Sequence, residues 1–146
     1  MDTPYNLALL TGAGLSAMAA LVHVWVIKAG PRGYRLCGAG DRFIRAAEAG
    51  KTFPAIATAG IALVLFIWAL YALAAAGIIA PLPLLRPALC FITFIYLLRG
   101  IAGPVALRNT GRSHRFIVIS SLICLCIGLV HLLGLIQCCA PRELKN

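Results

Sequence analysis

The chain has 146 residues, 62% of them hydrophobic and only 12% charged, with a formal net charge of +9 and a mean hydropathy of +0.96. A soluble domain is about half apolar, and so few charges cannot solvate a globule of this size. These values exclude an ordinary soluble enzyme and leave a single domain with much of its surface in lipid. The basic residues stand beside apolar runs, where they suit anionic headgroups better than nucleic acid.

The opening segment carries Asp2 and no lysine or arginine, so the positive start of a secretory signal is missing and the first apolar run is expected to stay in the membrane. That run, 7–27, is uncharged and meets the roughly 20 residues needed to span a bilayer. Ala29-Gly30-Pro31 predicts its end. The loop that follows holds Lys28, Arg32, Arg35, Arg42, Arg45 and Lys51. Within it, 41–49 reads as a short helix: Asp41 and Arg45 stand four apart, and Gly50 can end it. This segment is either an interfacial helix or a solvated connector. Thr52 is the expected N-cap of a second span, 53–77, with Pro54 in its first turn.

A short turn without basic residues leads to the third span, 84–103, which contains Arg86, Pro87 and Arg99 and is predicted to stop at Ala102-Gly103-Pro104. Arg108, Arg112 and Arg115 fill the next loop, and the fourth span covers 116–136. The tail adds Arg142 and Lys145. Nine basic residues in the two long loops against two in the tail give a positive-inside bias. The expected fold is therefore all-α: one transmembrane domain over 1–146, a four-helix bundle with both termini outside and the basic loops cytoplasmic. A multi-pass protein of a bacterial inner membrane fits that pattern. Gly12, Ser16 and Ala20, like Ser120, Cys124 and Gly128, recur every four residues, a spacing that lets membrane helices pack closely.

Among polar residues the most informative is Arg99. An arginine at bilayer centre costs roughly 2.5–3.5 kcal/mol on insertion scales, so it snorkels or finds a partner. Arg99 and His23 each stand four positions before the expected end of a span, which predicts a shared depth. Glu48 is the nearest carboxylate to pair with Arg99, and Ser120 and Ser121 open the fourth span at that level. Together with Lys51 these residues make a candidate ligand pocket at the cytoplasmic mouth: His23, Glu48, Lys51, Arg99, Ser120 and Ser121. The alternative is that Arg99 only snorkels and His23 bonds to a neighbouring carbonyl. Arg32, Arg35, Arg42, Arg45, Arg108, Arg112 and Arg115 are the expected headgroup contacts.

Other chemistry is scarce. Cys90, Cys124 and Cys126 lie in apolar runs and act as small hydrophobes, Cys37 falls in a reducing compartment, and Cys138 and Cys139 are adjacent, so no disulfide framework is expected. Neither a Gly-rich phosphate loop, a zinc-like Cys/His spacing nor a nucleophile–base pair is readable. No metal is expected, and no cofactor can be named. His131 reads as a packed or interfacial histidine near the outer end of the fourth span.

Two resemblances follow from short motifs. Leu21-Val22-His23-Val24-Trp25, Leu98-Arg99-Gly100-Ile101-Ala102-Gly103 and Ser120-Ser121-Leu122-Ile123-Cys124-Leu125-Cys126-Ile127-Gly128 make the chain resemble a family of small bacterial four-helix membrane proteins catalogued as a domain of unknown function. That likeness implies the fold and no activity. Arg42-Phe43-Ile44-Arg45-Ala46 before Phe53-Pro54 looks like a stretch of the MAPEG family, the membrane glutathione transferases. The likeness implies glutathione-dependent transfer, although Ala49-Gly50 and Thr52-Phe53 stand near that family's asparagine and glutamate slots. The leading expectation is a membrane protein that binds a small ligand or lipid in the mouth pocket. The alternatives are a MAPEG-like transferase and a non-catalytic accessory subunit of a larger membrane complex. Expected partners are the anionic bilayer and either another membrane protein or further copies of the chain, with no nucleic acid.

Overall fold

A computed structural model describes residues 5–139. It contains α1 (Leu7–Leu36), α2 (Gly40–Glu48), α3 (Phe53–Ala75), α4 (Leu85–Ala106) and α5 (His114–Cys139). All but α2 are long and apolar enough to cross a membrane. Their outward faces are apolar as well: Ile101 is 69% exposed, Val105 73% and Ile56 68%. So much exposed aliphatic surface belongs in lipid, and the chain is a multi-pass helical membrane protein.

The first glycine–proline pair interrupts the helix as expected, and the second does not. At Gly30, with φ +59° and ψ −141°, the backbone leaves the helical region, and a second helical segment then carries α1 from Pro31 to Leu36. Proline removes one helical hydrogen bond and bends a helix, yet the helix resumes if its continuation packs. Here it does. Gly33 and Tyr34 are buried beyond the kink, and the Tyr34 hydroxyl bonds Thr58 Oγ1 at 3.2 Å. α4, by contrast, runs unbroken through Pro104 to Ala106. α3 ends at Ala75, two residues before the expected 77, with Gly77 at φ +84° turning the chain.

Capping follows expectation in part. Thr52 occupies the N-cap of α3 with Pro54 in the first turn, but its side chain makes no cap bond. Two other residues do cap helices. Ser113 Oγ accepts from the Phe116 amide at 3.2 Å, which starts α5 two residues early. Asn6 Oδ1 accepts from the Leu9 amide at 2.9 Å, and its Nδ2 donates to the Gly134 carbonyl at 3.0 Å and approaches Cys138 Sγ. Asn6 thus caps α1 and ties it to α5. Asn6→Ala should cost about 1–2 kcal/mol, read as a lower unfolding midpoint in detergent, whereas Thr52→Ala should change little.

α1 packs chiefly on α3 and α4 on α5, while the α1–α5 interface joins these two pairs. Ala20, Leu65, Ile92, Tyr96 and Ile127 form the main core, and Leu9, Ala76 and Leu89 form a second cluster toward the α1 start. Small residues allow the close approach. Gly100 lies against the Leu125 backbone, Gly128 against Leu97 and Gly12 against the His131 ring.

The two basic loops meet at one end of the bundle. Gly38, at φ +60°, lies against Phe116 and Ser113, and Gly40, at φ +71°, against the Thr110 carbonyl. A Cβ at either glycine would crowd this junction as well as strain the backbone. Arg86 sits exposed in the first turn of α4, at the opposite end. Among the described residues, nine lysines and arginines thus stand at the basic end and Arg86 at the other. Arg142 and Lys145 lie outside the described residues.

Candidate functional site

Arg99 is half-buried on α4 and reaches across to α5. Its Nη1 donates to Ser121 Oγ and its Nη2 to Ser120 Oγ, both at 3.1 Å. Ser120 donates in turn to the Ile117 carbonyl at 3.2 Å. Gly103, one turn after Arg99, makes room for this arrangement. Any side chain there would collide with Arg99 Nη1 and Ser121 Oγ. The predicted cluster of an arginine and two serines therefore forms, and its glycine floor had been read only as part of a helix stop.

The rest of the predicted pocket disperses. Glu48 does not pair with Arg99. It forms a salt bridge with Arg35, and the two side chains are 39% and 61% exposed. The extension of α1 past its kink carries Arg35 to the end of α2, which the shorter predicted helix could not do. His23 is half-buried, with Nδ1 bonded to the Ala19 carbonyl of its own helix at 2.8 Å. Among the described residues no hydrogen bond joins His23 to Arg99. Lys51 is exposed and lines a separate open groove of about 390 Å³ with Arg42, Arg45 and Phe53.

The expected headgroup arginines all lie at the basic end. Arg32, Arg35, Arg42, Arg45, Arg108 and Arg115 are exposed, while Arg112 is half-buried. Arg112 lies over the Phe116 ring at 5.6 Å. Burial first, and then repulsion from Arg99, lowers the pKa of its guanidinium, so two like charges share poorly solvated space. A second groove, of about 430 Å³, runs between the end of α1 and the start of α5, and Ser120 forms part of its wall.

Sequence reasoning missed a buried polar row in the middle of the bundle. Ser16 Oγ and the Tyr96 hydroxyl bond at 2.9 Å, and the Tyr96 ring lies 5.4 Å from that of His131. His131 is fully buried, with Nδ1 on the Ile127 carbonyl at 2.9 Å and Nε2 without a partner. The Gly12-Ser16-Ala20 spacing was the available signal. It marked a packing face, as observed, but not the polar groups facing it.

Among the described residues no His/Cys/Asp/Glu group is arranged to hold a metal ion, and all six cysteines are free. Burial raises the Cys37 thiol pKa. Cys90 and Cys126 are exposed on the apolar outer faces rather than buried. No protein-family model, curated protein or solved structure matches this chain. Its function has to come from its own chemistry.

Proposed function

We propose that this is a protein of a bacterial inner membrane that binds a small anionic ligand or lipid headgroup at its basic end, with that end cytoplasmic and both termini outside. The observation carrying this reading is the donor count on Arg99. A guanidinium has five N–H donors, and within the described residues Arg99 uses two, both on neutral hydroxyls. No salt bridge of Arg99 is found among the described residues, Glu48 is taken up by Arg35, and the Arg99 charge is felt by Arg112. An anion satisfies the remaining donors and relieves the repulsion at once. Phosphate and carboxylate both match the planar guanidinium fork.

The test is thermal unfolding in neutral detergent with increasing glycerol phosphate. A ligand that binds the folded form alone raises the midpoint with concentration. The expected result is a rise in the wild type that Arg99→Gln abolishes. No rise, or an equal rise in the variant, overturns the reading. Orientation is tested separately, with reporter fusions after Asn146 and in the 108–115 loop. The first should report the outside and the second the cytoplasm, following the positive-inside bias.

One observation favours a second reading. The groove of about 390 Å³ is lined by Arg42, Arg45, Ala46 and Phe53, the residues that carry the likeness to membrane glutathione transferases. Conjugation of glutathione to an aromatic electrophile, lost in Arg45→Gln, would support it over the first reading.

A further inference from the structure

The groove between the end of α1 and the start of α5 is polar at one end and apolar along its length. Arg35, Ser113 and Arg115 stand at the interfacial end, and Phe116, Ile119 and Ile123 continue down α5. At 1.5 Å rise per residue, the path from Arg115 to Ile123 descends roughly 12 Å into the span. Ile119 and Ile123 are 58% and 52% exposed and open to lipid. A soluble anion needs the first part of this groove and has no use for the second.

We infer that this groove holds one anionic phospholipid, its phosphate at Arg115 beside the Arg35–Glu48 ion pair and one acyl chain along Ile119 and Ile123. The inference rests on the anion-binding reading above and names the ligand class for it. Ser120 connects the two, because it accepts from Arg99 and also lines the groove. A headgroup that reaches Ser120 meets the same hydroxyl to which Arg99 donates. Charge supports the anionic class. The basic end carries nine basic side chains against Asp41 and Glu48, and the one salt bridge found among the described residues leaves Arg115 outside it. The volume, about 430 Å³, falls within the range of roughly 300–1,000 Å³ usual for small-molecule sites. The polar-to-apolar order along the groove also matches the way a phospholipid enters a leaflet, headgroup at the interface and chain inward.

The experiment is native mass spectrometry of the full chain, purified in neutral detergent and mixed with equal amounts of phosphatidylglycerol and phosphatidylcholine. The wild type should retain one phosphatidylglycerol, at least tenfold over phosphatidylcholine. Arg115→Gln should cut that preference at least fivefold. Ile119→Trp, which fills the apolar part of the groove, should lower retention, while Ile56→Trp on exposed α3 should leave it unchanged. Equal retention of the two lipids, or equal loss in Ile119→Trp and Ile56→Trp, overturns the inference. Competition with glycerol phosphate separates the two readings. If it stabilises the protein through Arg99 while no phospholipid is preferentially retained, the lipid assignment falls and the anion site stands. If phosphatidylglycerol is retained equally by wild type and Arg99→Gln, and glycerol phosphate has no effect, the groove stands and the Arg99 reading falls.

Discussion

Gly100→Leu should separate α4 from α5 and leave a protein that unfolds well below the wild type. A Cβ at this position would lie 2.8 Å from the Leu125 amide nitrogen and from its Cα. These are backbone atoms, so no rotamer change relieves the clash and one helix has to move. Ordinary overpacking costs about 1–3 kcal/mol. A leucine forced against backbone should exceed that range, a large share of the roughly 5–15 kcal/mol that holds a typical domain together. Gly60→Leu is the matched control, because a Cβ at Gly60 on α3 meets nothing within 4 Å. It should be neutral or slightly stabilising, since glycine is a poor helix former. Comparable midpoints for the two variants in detergent would mean that α4 and α5 are not in backbone contact at this level.

That contrast marks how far the sequence could be read. The four apolar runs were legible because the requirement for about 20 apolar residues is set by bilayer thickness, not by tertiary context. Helix ends were less legible. A glycine–proline pair can break a helix, and what packs beyond it decides whether a second helical segment follows. At Gly30-Pro31 the deciding contacts are those of Gly33, which packs back on Val26 and Ala29, and of Tyr34, which bonds Thr58 on α3. Sequence spacing carries no information about them. The misassigned partner of Arg99 follows from the unread helical segment beyond that break. Ending the first helix at residue 27 left Arg35 in a loop and Glu48 available, whereas the continued helix brings Arg35 to Glu48. Ser120 and Ser121 were found because depth within two antiparallel spans can be counted from their ends. Of the six residues predicted to share a pocket, Arg99, Ser120 and Ser121 come together.

Arg99→Leu should remove anion binding while changing stability little. Keeping an arginine in the span costs roughly 2.5–3.5 kcal/mol. Its two hydrogen bonds from a charged group return about 1.5–3 kcal/mol each. The bonds return about 3–6 kcal/mol together, but repulsion from Arg112 offsets the surplus, so the net is small, and Ser120 keeps its bond to the Ile117 carbonyl after the guanidinium is gone. The unfolding midpoint should therefore move by only a few degrees in either direction, while affinity for glycerol phosphate falls at least tenfold. Arg108→Leu should leave that affinity intact. That residue is exposed in the loop, and its loss removes about 1 kcal/mol of attraction to an anionic surface without affecting the Arg99 site. If Arg99→Leu unfolds the protein, the residue is a structural staple between α4 and α5. If it leaves anion affinity intact, the site lies elsewhere.

The most direct test is a solid-state NMR measurement of proximity between phosphorus and the guanidinium nitrogens. The protein would carry ¹⁵N-arginine and sit in bilayers containing phosphatidylglycerol. The account predicts that ³¹P dephases an arginine side-chain signal that disappears in Arg99→Gln, because a phosphate occupies the donors that the two serines leave open. Dephasing confined to signals that persist in Arg99→Gln would place phosphate only on the loop arginines and contradict the account.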